Sequence, residues 1–269
     1  MNTRLTKEDQ ALIKKARRNK CSGPIYSEDG LRLLKVLGNP EYLEVKDGVK
    51  AICDDACQGL DNLHEVVLPA SVTDLGTRAF ASCIKLFKIT MPGVDFIGIE
   101  SFAHCENLKE IALPETLGKI WKAAFADCKA LEEINIPSHL KIIDKSAFRN
   151  SGLKSLNIVI SDDCECCIYD KAFASCKHLE SVYLNKNVKI VERMAFADCT
   201  SLKTIEFEQP SLTCCAGEIN ATMLIGCTSL EKIIVPKNKY NHYLDFNIQG
   251  YESAQFETRD FNSLITPKE

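Results

Sequence analysis

Five cysteines stand outside any regular spacing, and they offer the most chemistry in the chain. Cys164, Cys166 and Cys167 form one cluster, and Cys214 and Cys215 form a second. Four thiolates suit a tetrahedral zinc ion, and neighbouring thiols can also cycle between reduced and disulfide forms. Neither cluster has the spacing of a zinc knuckle, and adjacent cysteines rarely ligate one ion together. The spacing therefore predicts no metal and no cofactor. A metal- or redox-responsive role for these five stays as an alternative.

The other reactive residue types are scattered. His104 and His178 lie beside Cys105 and Cys176 in sequence, but a nucleophile and its base must meet in space, not along the chain. No phosphate-binding loop, dinucleotide fingerprint, nucleophile elbow or His-Glu-x-x-His occurs, so no catalytic residue is expected. The stretch Lys14-Lys15-Ala16-Arg17-Arg18-Asn19-Lys20 is basic. Cations near the C-terminal end of a helix are favoured by the backbone dipole, so it reads as a solvated cap helix. With a formal net charge of −4, attraction to nucleic acid is not expected. No apolar run reaches the roughly 18 residues of a membrane helix, which predicts no membrane insertion.

The elements that must position these residues come from a repeat. Phe80, Phe102, Phe125, Phe148, Phe173 and Phe196 are 22, 23, 23, 25 and 23 residues apart. Such a period marks a solenoid, in which each unit buries its apolar side only against its neighbours. Cys83, Cys105, Cys128, Cys176 and Cys199 each follow a phenylalanine by three residues, and Cys227 follows Leu224 in the same way. A small apolar group repeated at one position is a packing residue, so these six read as a reduced ladder rather than a disulfide scaffold.

In the clearest copy, residues 124–137, Leu131, Ile134 and Ile136 point inward. Glu133 and Asn135 alternate outward, as in a half-buried strand. Pro137 should end that strand. Cys57 and Leu224 replace the phenylalanine in flanking copies, giving eight rungs and a slab about 35–40 Å long at the 4.8 Å strand spacing. The fifth rung drops one residue, and Gly152 eases that contraction.

The chain divides into an N-terminal cap (residues 1–40), a solenoid (41–236) and a C-terminal cap (237–269). Thr6 and Asp9 form a capping box for a helix reaching about Asn19. A hairpin through Tyr26–Val36 follows, then a strand at 42–45. The tail's Tyr240, Tyr243, Phe246, Tyr251, Phe256 and Phe261 suit a terminal lid.

The copies Ala79-Phe80-x-x-Cys83-x-x-Leu86-x-x-Ile89 and Ala195-Phe196-x-x-Cys199-x-x-Leu202-x-x-Ile205 resemble the BspA-type leucine-rich repeat. The lead-in Glu28–Leu31 and Val49–Ile52 and the exit Val235-Pro236-Lys237 are similar to that family's ends, so the resemblance spans roughly residues 26–245. It implies a curved leucine-rich-repeat solenoid, mainly β with short corners, a strand-lined concave face, no catalysis and no cofactor. Many members are surface proteins thought to bind host or matrix proteins.

The expected function is a monomeric, non-enzymatic module that binds a protein of unknown identity. Solenoids use their long concave face for this. The outward residues there are Lys88, Thr90, Glu110, Glu133, Asn135, Ser155, Asn157, Ser181, Tyr183, Thr204 and Glu206. The first residues lack the apolar core of a secretory signal. A complete chain would therefore be cytoplasmic, and one whose export signal was removed would be a surface or secreted adhesin.

Overall fold

The computed structural model describes residues 2–208, 221–237 and 255–259. They form a coil with two strand-lined walls. The back wall is a continuous nine-stranded sheet of β1 (Gly23–Tyr26), β2 (Arg32–Leu37), β4 (Ala51–Ile52), β6 (Asp74–Leu75), β8 (Phe96–Ile97), β10 (Lys119–Ile120), β11 (Ile142–Ile143), β13 (Cys166–Ile168) and β15 (Val188–Val191). The front wall is in two pieces. One has β3 (Tyr42–Glu44), β5 (Glu65–Val67), β7 (Lys88–Thr90) and β9 (Glu110–Ile111). The other has β12 (Ser155–Ile158), β14 (Ser181–Leu184), β16 (Thr204–Phe207), β17 (Lys232–Pro236) and β18 (Gln255–Arg259). All these pairings are parallel except the β1–β2 hairpin.

The front wall departs from the sequence reading at the C-terminal end of the repeat and in its middle. β18 lies in the segment read as a cap, yet it continues the front sheet by pairing Gln255 with Lys232 and Arg259 with Pro236. Pro236 is the last residue of β17. In the middle, residues 133–136 of the clearest copy are not a strand. They form no backbone hydrogen bond to either neighbouring rung. The Asn135 side chain takes over, accepting the Leu113 N–H (3.0 Å) and donating to the Leu113 carbonyl (2.9 Å).

Inside the coil the six phenylalanines form one column, each fully buried. Successive rings have centroids 5.2–5.5 Å apart with planes within 1–8° of parallel. That distance exceeds a face-to-face contact, so the rings are slipped, the arrangement their quadrupoles favour. Beside them runs the thiol ladder. Each thiol donates to the corner residue's carbonyl one rung earlier, as Cys105 does to Phe80 (3.1 Å) and Cys128 to Phe102 (3.2 Å). The ladder residue is thus a donor as well as a space-filler, and Ser151, buried in the same row, places its hydroxyl 3.3 Å from the Cys176 thiol.

The corner backbone repeats as strictly. Ala123, Phe125 and Asp127 donate their N–H groups to the next rung's Lys145, Ala147 and Arg149 carbonyls. Residues two before and two after the corner residue hold positive φ, as at Ala123 (52°) and Asp127 (61°). The second row is Ser82, His104, Asp127, Asn150, Ser175 and Asp198, mostly the small polar types that tolerate this region.

The N-terminal end is closed as the sequence predicts. Helix α1 (Lys7–Arg18) opens with the reciprocal Thr6–Asp9 capping box. Asp9, nearly fully buried, also binds Arg32 at 2.9 Å, which ties the helix to β2. Lys14, Lys15, Arg17 and Arg18 face solvent. Tyr240, Tyr243, Phe246, Tyr251, Phe261 and the Phe256 side chain lie outside the described residues. No helix among the described residues is long and apolar enough to cross a membrane.

Candidate functional site

The insert cysteines do not assemble into a site among the described residues. Their placement follows from the local fold, because Cys166 and Cys167 are strand residues of β13 rather than members of a protruding loop. Strand alternation turns Cys166 into the core and Cys167 outward, and Cys164 is buried as well. Cys214 and Cys215 lie outside the described residues. Among the described residues no three His, Cys, Asp or Glu side chains gather as a metal site would need. Cys105 and Cys176 are fully buried while the neighbouring His104 and His178 point to solvent, so neither forms a dyad.

The thiols are correspondingly quiet. Burial pushes the Cys53 thiol up to about 11 and the Cys83 thiol up to about 12, and it raises Cys57 further. Since the thiolate is the reactive form, a thiol reagent added to native protein should modify exposed Cys21 quickly and half-buried Cys167 slowly. The ladder should react only on unfolding. Rapid native modification of Cys105 or Cys128, read by peptide mass spectrometry, would contradict the ladder.

The front wall is the surface with room for a partner, and its two halves differ. In the C-terminal half, from Tyr183 onward, the chain already occupies several of its own outward residues. Tyr183 is half-buried and bonded to the Glu208 carboxylate, and burial followed by that contact raises its phenol. Glu206, raised by burial, is paired by Arg259, which reaches across β17 from the tail strand. Lys232 binds Glu257 at 2.7 Å. Thr204 sits in register between Ser181 and Lys232.

In the N-terminal half Lys88 lies between Glu65 (3.6 Å) and Glu110 (3.7 Å). Glu133, next in the row, has no ion-pair partner among the described residues. Thr90, Ser155, Asn157 and Ser181 are exposed. Asn135 was expected to project toward a partner and does not, because Leu113 holds its amide.

Two adjoining clefts open on this wall, one just before the break and one at it. One, of about 460 Å³, lies between the exits of β7 and β9 and is lined mainly by Ile89, Met91, Pro92, Ile111, Leu113 and Pro114. The other, about 450 Å³, opens among Lys109, Glu110, Glu133, Asn135, Ser155 and Asn157. They share Glu110 and Ile111, so an apolar slot adjoins a polar one.

Two features of the walls escaped the sequence reading. The residue after each rung's leucine alternates in sign as Lys109, Glu132, Lys154, Glu180, Lys203 and Glu231. Neighbours pair across rungs, Lys154 to Glu132 at 2.7 Å and Lys203 to Glu180 at 2.9 Å. The second feature is on the back wall, where Trp121 packs against Phe96 with centroids 5.4 Å apart. Lys119 covers the Trp121 ring at 3.6 Å and bonds Asp144 at 3.1 Å. Aligning the copies by their leucines shows the first; the second shows in the residues alternating with Ile97 and Ile120.

Against known proteins, a family model described as "BspA type Leucine rich repeat region" matches in six copies over residues 38–156 and 166–257. Among solved structures, the T. pallidum leucine-rich repeat protein TpLRR is similar at 22% identity, with 89% of this chain and 98% of that chain covered and a TM-score of 0.50. A leucine-rich cell surface protein from Faecalibacterium prausnitzii is 18% identical, with 89% and 93% covered and a TM-score of 0.42. The pneumococcal vaccine antigen PcpA is 17% identical, with 89% and 83% covered and a TM-score of 0.46. At these identities the likeness is one of fold. No curated protein matches the chain.

Proposed function

The chain belongs to the BspA-type leucine-rich-repeat family, and from that premise we propose that it is a non-enzymatic module that binds a protein partner along its front wall. The observation that supports this reading most is the break in that wall, where a polar cleft opens between β9 and β12 and adjoins an apolar cleft between β7 and β9. A binding surface needs recesses and unsatisfied groups that a partner can fill. The wall from β7 to β12 has both, whereas farther on Arg259, Glu208 and Glu257 engage Glu206, Tyr183 and Lys232.

The test is capture of cross-linked partners from the native organism by tagged protein. A front-wall variant carrying Thr90→Tyr, Ser155→Tyr and Ser181→Tyr keeps the charge and the strands but blocks access. A back-wall control carries Lys141→Glu. Partners captured by the wild type and the control should be lost with the front-wall variant. Equal capture by all three would overturn the reading.

A further inference from the structure

Resting on the front-wall reading, we infer that the break between β9 and β12 receives an extended peptide segment in which a lysine or arginine stands beside an apolar side chain. Three observations carry this.

The first is charge. Glu65, Lys88, Glu110 and Glu133 occupy one row on successive rungs, and the single Lys88 bridges Glu65 and Glu110. Glu110 and Glu133 follow each other with no lysine or arginine of that row between them, and Lys109 lines the edge of the same cleft. Like charges side by side on neighbouring strands repel, and a cation placed between them turns that repulsion into attraction. The polar cleft opens at these two carboxylates.

The second is shape. The adjoining cleft is walled by Ile89, Met91, Ile111 and Leu113, which suits an apolar side chain one or two residues from the cation.

The third is the main chain. Residues 133–136 have no backbone partner in the wall, so the sheet parts there, and Glu133, Ile134 and Asn135 line the polar cleft. The Asn135–Leu113 bridge spans the break. Inserting a whole strand would need about 4.8 Å of spacing on each side, so the bridge excludes insertion. The segment therefore lies on the wall with only its side chains in the clefts.

The probe is a blocked peptide, glycine–leucine–arginine–leucine–glycine, titrated into full-length 15N-labelled protein, with a glutamate-for-arginine peptide as control. The amides of Ile111, Glu133, Ile134 and Asn135 should shift saturably with the arginine peptide. The apparent affinity should fall about tenfold or more with the glutamate peptide, with the Glu110→Gln/Glu133→Gln variant, and at high salt, which screens exposed charges. Absence of saturable shifts at these amides, or equal binding of both peptides, would overturn the inference. The same double variant in the capture experiment separates the two claims. If capture depends on the front wall but not on Glu110 and Glu133, this inference fails and the front-wall reading stands. If the tyrosine-blocked wall captures normally, the reading itself fails.

Discussion

Phe125→Ala should lower the unfolding free energy by about 3–5 kcal/mol, as buried large-to-small changes do. Phe125 is fully buried in the middle of the column, with Phe102 at 5.3 Å on one side and Phe148 at 5.2 Å on the other. Truncating it leaves a hole that neither neighbour can fill, because each ring is held by its own rung. A loss of that size is a large part of the roughly 5–15 kcal/mol that keeps an ordinary domain folded. Glu133→Ala, on the exposed front wall, should change stability by no more than about 0.5 kcal/mol. Urea midpoints of the two variants decide the matter. A smaller loss for Phe125→Ala than for Glu133→Ala would reverse the assignment of inside and outside.

Gly152→Ala should be the second most damaging change, costing about 3 kcal/mol, the upper end of overpacking. A Cβ at that position would lie 2.0 Å from the Lys129 carbonyl oxygen and 2.9 Å from its carbon. Both are backbone atoms of the preceding rung, so no side chain can swing aside. Gly152 also donates its N–H to Cys128 (3.1 Å), which draws the two rungs together where the fifth rung has lost a residue. Space, not an unusual dihedral, demands glycine here. A thermal midpoint for Gly152→Ala equal to that of the wild type would refute the close approach.

The architecture was legible because it is written many times over. One copy of the phenylalanine corner would be ambiguous, but a repeated spacing fixes the column, the thiol ladder and the inward leucines together. The capping box was legible for a different reason, since Thr6 and Asp9 interact within one turn. What escaped the sequence depends on two rungs at once. Residues 131–137 have the alternation of a strand, yet pairing is set by the distance to the rungs on either side, and there Asn135 replaces the backbone ladder. Arg259 closes over Glu206 from 53 residues away, a contact no local pattern contains. Counting outward residues thus placed them on the front wall but overcounted those free to meet a partner. Tyr183, Glu206 and Asn135 are already engaged.

The corner hydrogen bonds all run one way, each rung donating to the one after it. A stack with that polarity has a donor end and an acceptor end, and such head-to-tail contacts build filaments when nothing interrupts them. At the acceptor end of this coil β1 runs antiparallel to β2. Another coil arriving there would meet a strand pointing the wrong way. A reversal of four residues, Gly23–Tyr26, can therefore keep the molecule from polymerising end to end.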